Sequence, residues 1–357
     1  MRRGVPQLGV LVGVLGAMVT SASASIYYAS YLSRILSDFY ANVWWPGKRI
    51  YYGAGGFPDP LTQWPATATA ILSPFALLPE WAAVGLWLTA SIACFGGALW
   101  LVGCRDPRAY AVAFASPPVL SCLVLGNMTL LLVAGISVVW VARDRQPILA
   151  GTAAGAMVVM KVWLWPVAVF LLFSRRFLAA STAAMWAVAG TCAWWLLSPD
   201  TFSAYDDRTR ETVAGFGRFG IGVLSIAVNE GASVGAAEVL AFAAGAAVLL
   251  LAWRVTGDLA RFTLCLAAAL VASPVVWAHY YAVLFVPIAL RSPRLSGLWL
   301  VPYLTIGALL WPTIRLEFIV ASAASLAAVA IVSLKIASPT ASRGAAQPAR
   351  AAATLER

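Results

Sequence analysis

Apolar residues fill this chain in runs that cover approximately residues 5–28, 82–103, 109–125, 127–142, 147–160, 161–173, 177–197, 236–254, 262–273, 275–290, 295–312 and 317–334. Runs of this kind predict membrane helices. Several fall short of the ~20 residues that a perpendicular span needs. The pairs 147–160/161–173 and 262–273/275–290 each read as re-entrant, or as a hairpin with longer true ends. The pattern predicts an all-α, polytopic membrane bundle of about 10 to 12 transmembrane helices. Residues 1–337 form one domain in this reading. The Ala-, Pro-, Ser- and Arg-rich stretch 338–357 reads as a disordered cytoplasmic tail.

Two stretches break the apolar pattern. They are 29–81 and 198–235, and the alternation of spans puts both on the same face. Basic residues orient the bundle. With Arg2 and Arg3 inside, 16 of the 24 Lys and Arg residues fall on the inner face. Every short inner connection then carries Arg or Lys, as the positive-inside rule requires. The first outer loop would hold Asp38, Asp59 and Glu80, and the second Asp200, Asp206, Asp207, Glu211 and Glu230. Chemistry that needs a carboxylate is therefore expected outside the cytosol, away from ATP and nucleotide sugars. The start of the chain has features of a signal peptide: Arg2-Arg3, an apolar stretch, then Ser21-Ala22-Ser23-Ala24-Ser25. The apolar run continues through Ile26, Tyr27 and Tyr28, so an uncleaved first helix is the expectation.

Composition agrees with a lipid environment. Hydrophobic residues make up 62% of the chain and charged residues 11%, against about 25% charged in soluble domains. The formal net charge of +10 lies in short clusters between apolar runs, not in the basic stripe of a nucleic-acid binder. No nucleic-acid partner is expected. The five cysteines and the single histidine, His279, form no CxxC or Cys/His spacing. Neither a zinc site nor disulfides are expected, and no cofactor is implied.

The candidate chemistry sits in the breaks. Asp38 follows the first apolar run, where a partly desolvated carboxylate can take a proton from a hydroxyl. A helix-end carboxylate paired with Arg34 is the other reading. The loop beyond it carries Tyr40, Trp44-Trp45, Lys48-Arg49, Tyr51-Tyr52 and Trp64-Pro65. Such aromatics suit a membrane interface, and their faces also suit the C–H faces of sugar rings. In Ser273-Pro274-Val275-Val276-Trp277-Ala278-His279-Tyr280-Tyr281, Pro274 breaks or kinks a helix and frees backbone groups. A membrane-embedded His there is a functional candidate, with a packing role as the alternative. Lys161 either binds a lipid phosphate as a point charge or snorkels to the interface. Gly126-Asn127 reads as a tight turn between helices.

In this order, these pieces resemble glycosyltransferase family 87. The resemblance runs over about residues 10–330. It is carried by Asp38-Phe39-Tyr40, Trp64-Pro65, Leu72-Ser73-Pro74-Phe75-Ala76-Leu77-Leu78-Pro79, Gly126-Asn127, Lys161, Arg175-Arg176-Phe177 and Ser273-Pro274…Trp277-Ala278-His279. Trp64-Pro65-Ala66 stands where the family tends to have Tyr-Pro-Pro, and Val276 where it tends to have Ser. The resemblance implies a GT-C-type fold in the plasma membrane with an extracytoplasmic active site. It also implies a polyprenyl-phosphate sugar donor, often mannose, and a lipid or glycan acceptor. Asp38 would be the catalytic base of one inverting displacement. The resemblance also implies that His279 lines the active site. His279, Lys161 or Arg49 is expected to stabilise the phosphate charge, Tyr40, Trp64 and Trp277 are further substrate-binding candidates, and no metal is expected. A transporter or flippase of lipid-linked sugars is the alternative.

Overall fold

The computed structural model describes residues 35–52, 64–216 and 220–309. The expected segments 5–28 and 317–334, the tail, Arg34 and Asp59 lie outside the described residues. Among the described residues every element is helical. The chain starts with α1 (Ser37–Phe39), π-helical turns over Tyr40–Trp44 and α2 (Trp45–Tyr52). Next come α3 (Ala66–Leu72), a 3-10 stretch at Ser73–Leu77 and the long α4 (Glu80–Leu101). Helices α5 (Pro107–Phe114), α6 (Pro117–Leu125), α7 (Thr129–Ala142) and α8 (Pro147–Met160) follow, then α9 (Trp165–Phe173) and α10 (Phe177–Leu197). The second polar stretch forms α11 (Pro199–Ser203), α12 (Tyr205–Phe216) and α13 (Val223–Asn229). The rest is α14 (Val234–Arg254), α15 (Asp258–Ala272), a 3-10 stretch at Ala278–Leu284, α16 (Phe285–Arg291) and a 3-10 stretch at Gly297–Leu309.

Local sequence explains many of these limits. Pro107, Pro117, Pro147 and Pro199 each open a helix at the first position, where the missing N–H costs nothing. Asp106 caps α5 by accepting from the Arg108 N–H at 3.0 Å. Gly126 closes α6 in the left-handed conformation, φ 66°.

The protein is an all-α membrane protein. Helices α4, α10 and α14 have 22, 21 and 21 residues and are apolar enough to cross a bilayer. Their outward faces carry Trp81 and Trp100, Trp195 and Leu196, and Val239, Phe242 and Trp253, all exposed. Lipid is the solvent that accommodates such surfaces. The run 109–125, read as one segment, is two helices bent by 58° at Ala115–Ser116. The cause is Pro117-Pro118, which removes two N–H donors and forbids continuation. The run 295–312 is 3-10 rather than α over Gly297–Leu309, with Pro302 inside it. Gly215, Gly217 and Gly220 repeat the spacing of a dinucleotide-binding fingerprint. Gly215 lies in the last turn of the helix α12 and among the described residues no strand precedes it, so that spacing has no phosphate-loop context.

Charge collects at particular loops. Arg176 Nη2 lies 2.7 Å from Asp144 Oδ1 and 2.6 Å from Asp258 Oδ2. Arg143 Nε lies 3.6 Å from Asp258 Oδ2, and Arg261 Nη1 lies 3.5 Å from Asp258 Oδ1. Burial opposes ionisation of Asp258, but the surrounding arginines outweigh it and hold the carboxyl below its ordinary range. Elsewhere the Leu295 N–H donates to Asp106 Oδ2 at 3.0 Å. Each cluster joins loops that the charge pattern assigns to one face.

Small residues let helices close on one another. On α8, a Cβ added at Gly151 would lie 2.3 Å from the Ala179 carbonyl oxygen, and one at Gly155 would lie 2.4 Å from Trp186 Cβ. Both neighbours are on α10, so the two backbones touch through these glycines. Gly155→Leu is expected to cost about 1–3 kcal/mol by overpacking. The Tm in detergent reads this, with Gly97→Leu on the outward face of α4 as the neutral comparison, since a Cβ there meets nothing within 4 Å. Equal Tm values would contradict the contact.

Candidate active site

The site is assembled where four breaks in helical structure meet. The first is the start of α1. Leu36 adopts a left-handed backbone, φ 63°, and its N–H donates to the Val124 carbonyl at 2.7 Å. That bond lashes the start of α1 to the end of α6. Phe39 is fully buried, with its ring centroid 5.3 Å from that of Trp87. Trp87 Nε1 in turn donates to the Gly126 carbonyl at 3.0 Å. Gly126 is required twice over. Its φ is positive, and a Cβ would lie 2.7 Å from Phe39 Cβ.

The second break is the α6–α7 turn. Asn127 Nδ2 donates to Asp38 Oδ2 at 2.5 Å, across 89 residues of sequence. Asn127 Oδ1 accepts from the Thr129 N–H at 2.9 Å and from Thr129 Oγ1 at 2.7 Å. Asp38 is half-buried. Burial raises its carboxyl above the ordinary range, while the Asn127 hydrogen bond and the positive charge of Lys161 pull it back.

The third break is Lys161, whose extended backbone, φ −146° and ψ 99°, separates α8 from the 3-10 turn Val162–Leu164. The residue is 8% exposed. Its Nζ stands 4.9 Å from the Trp64 ring centroid and 5.5 Å from that of Tyr280. A snorkelling lysine would show its ammonium to water, and this one is covered by aromatic faces.

The fourth is Ser273–Trp277, the break after α15. Ser273 Oγ donates to the Val275 carbonyl at 2.8 Å, and the Ile221 N–H donates to the Val276 carbonyl at 2.8 Å. These bonds satisfy backbone that Pro274 frees. His279 follows at 3% exposure, and among the described residues its Nε2 has no hydrogen-bond partner. Tyr280 stacks on Trp163, centroids 4.7 Å apart and planes 13° apart.

A cavity of about 650 Å³ opens beside this cluster. One wall is Lys161, Trp163, Trp277 and Tyr280. Charged residues of α12, notably Arg208 and Arg210, line it too, with Glu238 of α14. Asp38 and His279 do not line it; Lys161 and Tyr280 connect it to them. Among the described residues no three His, Cys, Asp or Glu side chains converge as a metal ligand set would.

The residues expected from sequence divide accordingly. Asp38, Lys161, His279 and Trp64 fall in one region, and Trp277 lines the adjoining cavity. Tyr40 and Arg49 stand apart from the cavity. The Tyr40 hydroxyl donates to Glu80 Oε1 at 2.6 Å. That carboxylate pushes the phenol up to about 12. Arg49 is half-buried in the last turn of α2, which packs on Ser73–Leu77. Sequence reasoning named Asn127 only as part of a tight turn and of the family resemblance, and it passed over Thr129. Their spacing after a left-handed glycine is an Asx-turn pattern, but nothing local points it at Asp38.

The model of glycosyltransferase family 87 matches residues 63–276, more than half of the chain. The chain belongs to glycosyltransferase family 87. The matched region of this family member holds Trp64, Asn127 and Lys161 and stops at Val276; Asp38 lies before it and His279 just after it. As a family 87 member the protein is a membrane glycosyltransferase, which takes a sugar donor and an acceptor. No curated protein and no solved structure matches the chain.

Proposed function

We propose that this protein transfers a sugar, mannose, from a polyprenyl phosphate to a lipid or glycan acceptor on the extracytoplasmic face of the plasma membrane. Asp38 is the base. The observation that carries this reading is a half-buried Asp38 close to the buried cation Lys161, which stands on the wall of an aromatic-lined cavity. The acceptor hydroxyl gives its proton to Asp38. Its oxygen attacks the anomeric carbon, and the bond from that carbon to the phosphate oxygen breaks. The electron pair leaves on the phosphate, already a good leaving group, so no general acid is needed. In this reading Lys161 and His279 hold the developing phosphate charge. The Nε2 of His279, without a partner among the described residues, supports a ligand-facing role over a packing role. Tyr40, Trp64, Trp277 and Arg49 remain candidates for holding the substrates. The glycosyl-transfer reading accounts for a half-buried carboxylate, partly desolvated, that a passive flippase would not need.

The test is incubation of the purified protein with labelled polyprenyl-phosphate mannose and a membrane lipid extract. Label is expected to move into a new lipid or glycan product. Label that crosses a vesicle bilayer on its original carrier, with no new product, would favour the flippase. Topology is tested separately. In a Cys192→Ser background, Ser203→Cys is expected to label from outside intact cells and Ser292→Cys to stay unlabelled. The opposite pattern would invert the threading.

A further inference from the structure

The amide of Asn127 has only one orientation open to it. A backbone N–H can only donate, so the atom 2.9 Å from the Thr129 N–H must be Oδ1. The Thr129 hydroxyl donates to the same oxygen at 2.7 Å. Nδ2 is thereby delivered to Asp38 Oδ2 at 2.5 Å. Asn127 is 2% exposed, and its own N–H is bound to the Cys122 carbonyl at 2.9 Å, so the residue cannot swing away. Among the described residues Asp38 Oδ1 accepts no hydrogen bond. The two oxygens of one carboxylate are therefore inequivalent.

We propose that Asn127, locked by Thr129, is a positioning residue that occupies Oδ2 of Asp38 and leaves Oδ1 as the atom that takes the acceptor's proton. This rests on the reading of Asp38 as the base. In the step, the acceptor O–H bond breaks and its proton goes to Oδ1. The freed electron pair forms the bond to the anomeric carbon, and the phosphate departs with the pair from the broken carbon–oxygen bond. A fixed Oδ2 stops the carboxylate from rotating, so Oδ1 keeps one approach line to the hydroxyl. Among the described residues the other charged or titratable groups acting on Asp38 are Lys161 at the α8 break, Cys122 on α6 and Tyr280 on the 3-10 stretch Ala278–Leu284. The variants below leave all three in place.

The test uses the full-length protein and compares Asn127→Leu, Asn127→Asp and Thr129→Val with the parent in kcat, KM and the pH profile of kcat. Asn127→Leu removes a hydrogen bond to a charged group. It is expected to lower kcat about 10- to 100-fold, with KM for donor and acceptor little changed. The acid limb of kcat should move up by about one pH unit, because the lost bond favoured the ionised carboxylate. Asn127→Asp keeps the size of the side chain and sets a second carboxylate against the first. It should move the acid limb further up, since the pair then shares a proton. Thr129→Val should shift both quantities the same way and less, because the backbone N–H of residue 129 still donates to Asn127 Oδ1. Unchanged kcat and an unchanged acid limb in Asn127→Asp would overturn the proposal even if Asn127→Leu did not fold. So would variants whose only change is a higher KM. An active Asp38→Asn protein would instead remove the base reading itself. An inactive Asp38→Asn beside parent-like Asn127 variants would retain the base and reject the positioning.

Discussion

Asp38→Asn is expected to abolish sugar transfer while leaving the fold and donor binding largely intact. Asn keeps the size of Asp and can still meet the Asn127 amide through its carbonyl oxygen, but it cannot take up a proton. The lost contribution is general-base assistance, about 10²–10⁴-fold. A carboxylate that served only to pair a helix end would cost under about 1 kcal/mol of stability and no chemistry. The pH dependence follows from the same group. Its carboxyl lies above the ordinary range, and the base works only when ionised. The rate should therefore fall on the acid side through that raised value, and Asp38→Asn should lose this limb along with the activity. Asp59→Asn is the comparison, since Asp59 stands between Pro58 and Pro60, a sequence that reads as a turn. Loss of transfer in Asp59→Asn beside an active Asp38→Asn would move the base to Asp59.

Lys161→Ala carries the second large effect. Lys161 has its ammonium by the Trp64 and Tyr280 rings and on the cavity wall, and under the proposed function it meets a donor phosphate that enters from the cavity. Losing one charge-assisted contact is expected to weaken donor binding about 10- to 100-fold, with much less effect on acceptor binding. Arg49→Ala should lose less, because Arg49 lies off the cavity. Donor affinity is read by titration with the unreactive polyprenyl phosphate. Unchanged affinity in Lys161→Ala would leave Lys161 as a structural partner of Asp38 only.

How much of this was legible before the structure differs by element. The long helices were: Phe177–Leu197 has the limits that hydropathy predicts, and Glu80–Leu101 and Val234–Arg254 begin within two residues of prediction. Hydropathy works there because each helix must bury about a bilayer's depth of apolar surface by itself. The breaks at Lys161 and Pro274 were also legible, from a charge and a proline inside apolar runs. The bend between α5 and α6 was missed because hydropathy averages over the proline pair that causes it. The Asn127–Asp38 bond was not legible either. Its partners are 89 residues apart, and no periodicity encodes which turn a carboxylate will face. Lys161 and His279 were readable as unusual, but their shared region is a product of packing α6, α8 and the Ala278–Leu284 stretch together.

A single displacement has one consequence that no binding or stability effect can imitate. Transfer from a polyprenyl-phosphate sugar of known anomeric configuration must give a product of the opposite configuration. The anomeric proton–carbon coupling of the purified product measures it by NMR. Inversion is the result expected if Asp38 activates the acceptor for direct attack on the donor. Retention would require a covalent sugar–enzyme intermediate or two successive displacements, and would contradict the role assigned to Asp38.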